Sequence, residues 1–299
     1  MSSPMVSIII PTHNRAHMVG RAIRSVLAQT FKDFELILVD DCSTDYTEEA
    51  ARTFHDRRMV YLRHDENQGA SAARNTGVRA ARGKYIAFLD SDNEWWCNKL
   101  ELQVAVLEQT PEIGLVYAGC EWVSEKTGEV ELRRVPDGRG RVVGLPRWAH
   151  NIADDFLVRS EILKETFHNE DLQTYEEYDL FLRLATKCSF RWIPKVLVSC
   201  YTHDGPRLSD GDAREKVKVL EYIIREHGWF IRKDAKAWAG VNQILGDFYL
   251  TYLGDITAAR KCLWQVLIAR PLHWKSWLYA VASLYPPMLP QLRRTLRGA

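Results

Sequence analysis

The acids Asp90 and Asp92 of the tripeptide Asp90-Ser91-Asp92 stand close enough for their charges to interact. Two such carboxylates repel each other unless a cation or a hydrogen-bond donor lies between them. A hard divalent ion with a diphosphate meets that need, because Mg2+ takes one or two carboxylates plus phosphate oxygens. A turn with helix-capping acids meets it too, since Asp and Asn favour turns and N-caps. The tripeptide alone leaves both alternatives open. Two further polar clusters precede it, Pro11-Thr12-His13-Asn14 and Asp40-Asp41.

All three clusters stand where an apolar run ends. Val6-Ser7-Ile8-Ile9-Ile10 stops at Pro11, Phe34-Glu35-Leu36-Ile37-Leu38-Val39 runs into Asp40, and Tyr85-Ile86-Ala87-Phe88-Leu89 runs into Asp90. Another short strand pattern covers residues 59–62. Continuous apolar runs suit parallel strands buried on both faces. Helical spacing is expected between them over residues 13–30, 47–54 and 69–81, and after them over 100–107. The alternation predicts an α/β fold, a mostly parallel twisted sheet flanked by helices. In such sheets ligands bind beyond the carboxyl ends of the strands, where the three clusters lie.

Residues 114–209 mix strand and helix patterns. Residues 138–144 are rich in Gly and Arg and read as a loop. A helix is expected over 176–186 and a strand over 190–200. From residue 210 the texture is helical only, with one helix over 217–226. Residues 239–271 loosely resemble a tetratricopeptide helical hairpin. These patterns divide the chain into residues 1–209 and an all-helical C-terminal extension, residues 210–299. The extension serves either as a helical tail packed on the main domain or as a repeat that docks a protein.

Composition narrows the function. Lys plus Arg number 40 and Asp plus Glu 39 among 299 residues, which argues against a nucleic-acid partner held by bulk charge. The six cysteines are scattered without C-x-x-C spacing, which argues against zinc and fits reduced thiols in a cytoplasmic protein. Residues 1–5 lack a basic signal-peptide start, and residues 6–11 are too short an apolar run for one. No stretch reaches the roughly 20 apolar residues that span a bilayer. The expected location is the cytoplasm.

Four strings occur in order: Pro11-Thr12-His13-Asn14-Arg15, Val39-Asp40-Asp41-Cys42-Ser43-Thr44-Asp45, Asn67-Gln68-Gly69-Ala70-Ser71-Ala72-Ala73-Arg74-Asn75 and Phe88-Leu89-Asp90-Ser91-Asp92-Asn93. Together they resemble the family 2 glycosyltransferases of the GT-A fold, and the resemblance covers about residues 5–209. It implies an inverting enzyme that moves a sugar from a nucleotide diphosphate, expected to be a UDP-sugar, onto an acceptor hydroxyl in polysaccharide or other glycoconjugate synthesis. The acceptor class includes glycans, lipid-linked sugars and small molecules. Pro11, Thr12, His13 and Asn14 would line the donor nucleotide, with Pro11 and His13 walling the base. Asp41 would accept a hydrogen bond from the base, leaving Asp40 a structural neighbour. Arg74 would approach the base or the diphosphate; a solvated helix arginine is the alternative. Asp90 would meet the ribose beside Ser91, and Asp92 would bind Mn2+ or Mg2+.

The same resemblance bears on Tyr175-Glu176-Glu177-Tyr178-Asp179-Leu180-Phe181-Leu182-Arg183. Aligning its downstream Leu-Arg-Leu places Glu177 at the catalytic base, with Glu176 the alternative. The family usually has Asp there, and Glu reaches one methylene further with nearly the same intrinsic pKa. Acids in a first helical turn also suit the helix dipole. Asp179 and Arg183 have the spacing of an i, i+4 pair. His203, in Tyr201-Thr202-His203-Asp204, would add a metal ligand or touch the diphosphate. One of Trp95 and Trp96 would wall the sugar, while core packing is the alternative for each.

The altered Glu-Glu pair and the repeat-like tail also fit a non-catalytic sugar-nucleotide-binding scaffold. A nucleotidyltransferase fits less well, because no Gly-rich basic loop follows the first strand. Aromatic and basic residues in the last helices suit either peripheral contact with the inner face of a membrane or an aromatic helix-pair core. A homodimer is compatible with all of this.

Overall fold

The computed structural model describes residues 3–133, 155–202, 212–272 and 277. The chain divides into two compact units, residues 1–142 with 150–206, and residues 143–149 with 207–299.

The first unit is built on one nine-stranded sheet. Strands β1 (Val6–Thr12), β2 (Phe34–Asp40), β3 (Met59–Arg63) and β4 (Tyr85–Phe88) run parallel in the order β3-β2-β1-β4. The sheet continues through β8 (Leu157–Arg159), β6 (Ile113–Ser124), β9 (Ser189–Thr202) and the two-residue β5 (Glu94–Trp95), while β7 (Val130–Arg133) pairs with β6. Strand β8 is antiparallel to β4 and β6, and β5 to β9, whereas β6 and β9 are parallel. The sheet is therefore mixed, with its parallel half at the N-terminus.

Strands β1, β2 and β4 are buried at every residue, because helices cover both faces. Val6, Ile8 and Ile10 join Val19, Ala22, Ile23 and Val26 of α1 (Val19–Leu27) in one core cluster. Ile9 points the other way, against α3 (Ala70–Ala80). This is the two-residue alternation of a strand serving two helical layers. Each fully buried Ile or Val contributes about 1.5–3 kcal/mol.

Register sets the three polar clusters side by side. Thr12 stands opposite Asp40, Asp40 opposite Arg63, and Ile9 opposite Phe88. The strand ends are thus level, and the residues after them share one edge.

Helix α1 begins six residues later than the apolar spacing predicts. Asn14 lies in the left-handed region at φ 53°. The backbone N–H groups of Asn14 and Arg15 donate to Ser43 Oγ and Thr47 Oγ1 instead of entering a helix. Tertiary hydrogen bonds to the loop before α2 (Thr47–Arg52) outweigh local periodicity there. The remaining helices of this unit are α4 (Lys99–Gln109), α5 (Ser160–Lys164) and α6 (Glu176–Lys187). The expected loop at 138–144 lies outside the described residues.

The second unit contains α7 (Ala213–Ile231), α8 (Ala235–Phe248), a π-helical turn (Tyr249–Leu253) and α9 (Ile256–Ala269). Asp212, Asp234 and Asp255 cap these three α-helices, each accepting from backbone N–H groups of the first turn. Helix α7 is longer than the expected 217–226, because its cap sits further upstream. Gly246 lets α8 lie close to α9; a Cβ there would stand 3.2 Å from Cys262 Cβ.

Gly77 has the same function between α3 and β1, where a Cβ would fall 2.4 Å from Ile9 Cγ2. Gly77→Ala gains helix propensity of about 1 kcal/mol but overpacks a core contact costing about 1–3 kcal/mol. Urea unfolding is expected to show a net loss of stability. An unchanged or raised midpoint would mean that α3 can move away from β1 without cost.

Candidate active site

Arg74 organises the site. It lies on α3, 2 % exposed, with Ala72 and Ala73 leaving the helix free to approach the sheet. Its Nη2 donates to Asp90 Oδ1 at 2.8 Å and stands 2.9 Å from Glu177 Oε1, while Nη1 donates to Glu176 Oε1 at 3.2 Å. One guanidinium thus joins the turn after β4 to the first turn of α6. Burial opposes its charge, but Glu177, Asp90 and Glu176 outweigh that and raise its pKa above the usual arginine value. The alternative of a solvated helix arginine does not hold, since Arg74 is a buried counterion for three acids.

The acids respond to the same surroundings. Burial, with Glu176 adjacent, pushes the Glu177 carboxyl up to about 8 against the pull of Arg74. Asp90 is also raised, by desolvation against Arg74, with Asp92 adding to the rise. These groups sit in an environment with more negative than positive charge.

Backbone and side-chain ties hold the acids in place. Tyr175 enters α6 at φ 55°, which turns Glu176 and Glu177 toward Arg74. Asn75, next to Arg74, donates through Nδ2 to His168 O at 3.0 Å and Glu170 Oε1 at 2.7 Å, and its Oδ1 accepts from the His168 N–H. The His168 ring packs edge-on against Phe88. Burial, then Arg74 and Arg183, hold its pKa well below the usual histidine value, so it stays neutral. Asp179 and Arg183 form the expected i, i+4 pair at 2.7 Å.

The Asp90-Ser91-Asp92-Asn93 turn is anchored through its backbone. Asn93 N–H donates to Asp90 O, Arg21 donates to Asp92 O, and Asn93 Oδ1 accepts from the Tyr201 N–H at 3.0 Å. Arg21 also pairs with Glu125 at 2.7 Å and lies 3.6 Å above the Tyr201 ring. Ser91 is buried, and Asp92 is part-buried. Arg21 carried no sequence signal, and Tyr201 stood only as a neighbour of His203, because packing alone brings the two side chains together at the turn.

On the β1–β2 side, Asp40 is buried and accepts from Ser43 N–H, Tyr61 OH and Arg63. It ties β2 to β3. Asp41 Oδ1 accepts from His64 Nδ1 at 2.7 Å and Gln68 N–H at 2.9 Å, and Oδ2 from Gly69 N–H at 2.7 Å. A carboxylate has about four acceptor positions, and these donors fill three of them. His64 Nε2 then accepts from Thr76 at 2.9 Å, which orients the ring. His13 Nδ1 donates to Asp41 O at 2.8 Å, and Asn14 Oδ1 accepts from Thr44 N–H at 2.8 Å. Pro11 and Thr12 end β1, and Thr12 Oγ1 is buried without a partner among the described residues. His64 was absent from the sequence reading, since nothing in its neighbours marks it as a ring facing Asp41.

Trp95 is core, with the Lys99 ammonium 3.9 Å from its ring centroid. Trp96 is 45 % exposed, and its Nε1 donates to Ser199 Oγ at 3.1 Å. Only Trp96 therefore presents a face to a ligand. His203 lies outside the described residues. Among those residues no three His, Cys, Asp or Glu side chains converge in a metal-binding group. The donor set at Asp90-Ser91-Asp92 suits a hard ion whose other ligands come from phosphate oxygens.

A parallel sheet half covered by helices and continued by mixed strands is a GT-A-like architecture, here with acids past its strand ends. The Glycosyl transferase family 2 model matches residues 7–167, and the chain belongs to that family. It is 32 % identical over 235 residues to an uncharacterized glycosyltransferase of Haemophilus influenzae, covering 75 % of this chain and 76 % of that one. It is 39 % identical over 127 residues to the Escherichia coli UDP-Glc:alpha-D-GlcNAc-diphosphoundecaprenol beta-1,3-glucosyltransferase WfgD, covering 42 % of this chain and 50 % of that one. Its fold matches S. aureus TarS 1-349, solved in complex with UDP-GlcNAc, with a TM-score of 0.69 at 17 % identity, over 97 % of this chain and 92 % of that one.

Arg74→Met leaves three carboxylates without their counterion and is expected to cost about 3–5 kcal/mol at pH 8.5. Without the guanidinium the folded-state carboxyls bind protons at higher pH, so the difference from wild type narrows as pH falls. Urea unfolding at pH 8.5 and pH 5 measures both. A difference that does not change with pH would show that the guanidinium does not act as their counterion.

Proposed function

We propose that the chain is an inverting transferase that moves a sugar from a nucleotide diphosphate sugar, a UDP-sugar in first place, onto an acceptor hydroxyl in the synthesis of a cell-surface polysaccharide or other glycoconjugate. The observation that carries this is the Arg74 cluster. It couples Asp90, on the acidic turn, to Glu177, whose raised pKa suits a base working near neutral pH. The names of two similar proteins support the donor and acceptor classes: UDP-glucose and a diphosphoundecaprenol-linked sugar for WfgD, and UDP-GlcNAc for the TarS complex.

In the proposed reaction, Glu177 takes the proton of the acceptor hydroxyl as its oxygen forms a bond to the donor C1. The bond from C1 to the diphosphate oxygen breaks with its electron pair, and the nucleotide diphosphate leaves from the opposite face. Glu176 remains paired with Arg74 Nη1 and keeps the guanidinium in place. Asp41 offers its remaining acceptor position to the base N–H, an interaction that a dry pocket rewards because an unpaired N–H would be costly. Pro11 and His13 flank the base, Thr12 and Asn14 complete that wall, and Asp90 with Ser91 meets the ribose. Asp92, joined by His203, would hold Mn2+ or Mg2+, which supplies Lewis-acid neutralisation of the leaving diphosphate when bound.

Two measurements test these roles. Glu177→Gln is expected to lower kcat by about 10²–10⁴-fold, the usual contribution of a general base, while donor affinity by calorimetry stays close to wild type. Near-normal turnover in that variant would remove Glu177 from the mechanism and leave Glu176 as the base. Asp92→Ala is expected to abolish the gain in UDP affinity that Mn2+ produces. Equal Mn2+-dependent affinity in both proteins would sink the metal-ligand assignment.

A further inference from the structure

Charge is distributed unevenly along the chain. Residues 256–299 contain seven Lys or Arg, five Trp or Tyr and no Asp or Glu, whereas residues 1–255 hold 33 basic and 39 acidic residues. Helix α9 begins this segment and has apolar residues on two faces. Ala259, Cys262, Leu263, Val266 and Leu267 are buried within the second unit. Trp264 and Ile268 lie outside that face, 61 % and 62 % exposed, with Arg260 and Lys261 exposed one turn earlier. Leu272 and Trp277 extend the exposed apolar residues beyond the helix. Spacing of three to four residues brings Arg260, Lys261, Trp264 and Ile268 onto one side of the helix.

From this arrangement we infer that the outer face of α9 binds the surface of an anionic lipid bilayer. An exposed indole with basic neighbours suits the headgroup region, where the ring is half-solvated and the cations meet lipid phosphates. The absence of any acid after Asp255 matches a negative surface better than it matches a neutral or mixed protein face. No helix among the described residues is long and apolar enough to cross a membrane. The inference stands independently of the transferase reading. If that reading holds as well, the contact would keep the enzyme beside lipid-borne acceptors.

Flotation of the full-length protein with vesicles tests it. One set contains phosphatidylcholine alone, and the other equal parts phosphatidylcholine and phosphatidylglycerol. The protein is expected to float with the anionic vesicles only, and added salt is expected to weaken binding. Arg260→Gln with Lys261→Gln should lower the partition about fivefold per charge. Trp264→Ala with Ile268→Ala should lower it at least about tenfold. Thermal unfolding should confirm that both variants remain folded, and transfer to a water-soluble acceptor without lipid should be unchanged. Equal flotation with both vesicle sets, or parental binding by the folded variants, would overturn the proposal. So would a parental dimer that the Trp264→Ala, Ile268→Ala variant splits without loss of lipid binding, because the face would then be a contact between copies. Loss of transfer activity in wild type would count against the transferase reading alone.

Discussion

A buried guanidinium carries a large desolvation cost unless acids surround it, and buried acids carry the same cost unless a cation is near. Arg74, Asp90, Glu176 and Glu177 satisfy both demands together. Through this one guanidinium, 2 % exposed, the β4 turn is joined to α6. The arrangement also sets chemistry. It leaves more acid than base in the cluster, which together with burial raises the Glu177 carboxyl.

Helix α3 transmits this constraint across the site. At its N-terminus the N–H of Gly69 binds the Asp41 carboxylate, and about one turn later Arg74 binds Asp90. Asp41 and Asp90 are therefore spaced by one helix. Gly77 fixes how closely that helix lies on β1, so an apolar packing contact about one turn from Arg74 helps set where the guanidinium sits. Asn14, Cys42 and Tyr175 hold left-handed backbone conformations around the same edge, at φ 53°, 59° and 55°. Such positions cost about 1–3 kcal/mol each and persist only where surrounding bonds over-determine them. Here those bonds include the links of Asn14 to Ser43 and Thr44.

The second unit obeys simpler rules, with an aspartate cap at each helix start and a glycine where helices approach. It also exposes large apolar side chains that helical packing does not require, among them Trp229 on α7 and Trp264 and Ile268 on α9.

The parallel half of the sheet could be read from β-branched runs, because a strand buried on both faces has to be apolar along its length. The acids at its ends could be read too, since their positions follow directly from where those runs stop. The start of α1 could not be read, because side chains from a loop some 30 residues away draw its first turn out of the helix. Nor could the long parallel pairing of β6 with β9, which depends on chain segments far apart in sequence. By itself the sequence determined that Asp90 and Asp92 follow a strand end, and its family resemblance pointed to Glu176 and Glu177. Only the tertiary structure decided that Arg74 lies among them instead of in solvent, and that His64, Arg21 and Tyr201 support the site. The physical reason is that residue type carries charge and periodicity, whereas burial and the choice of partner arise only when distant segments pack.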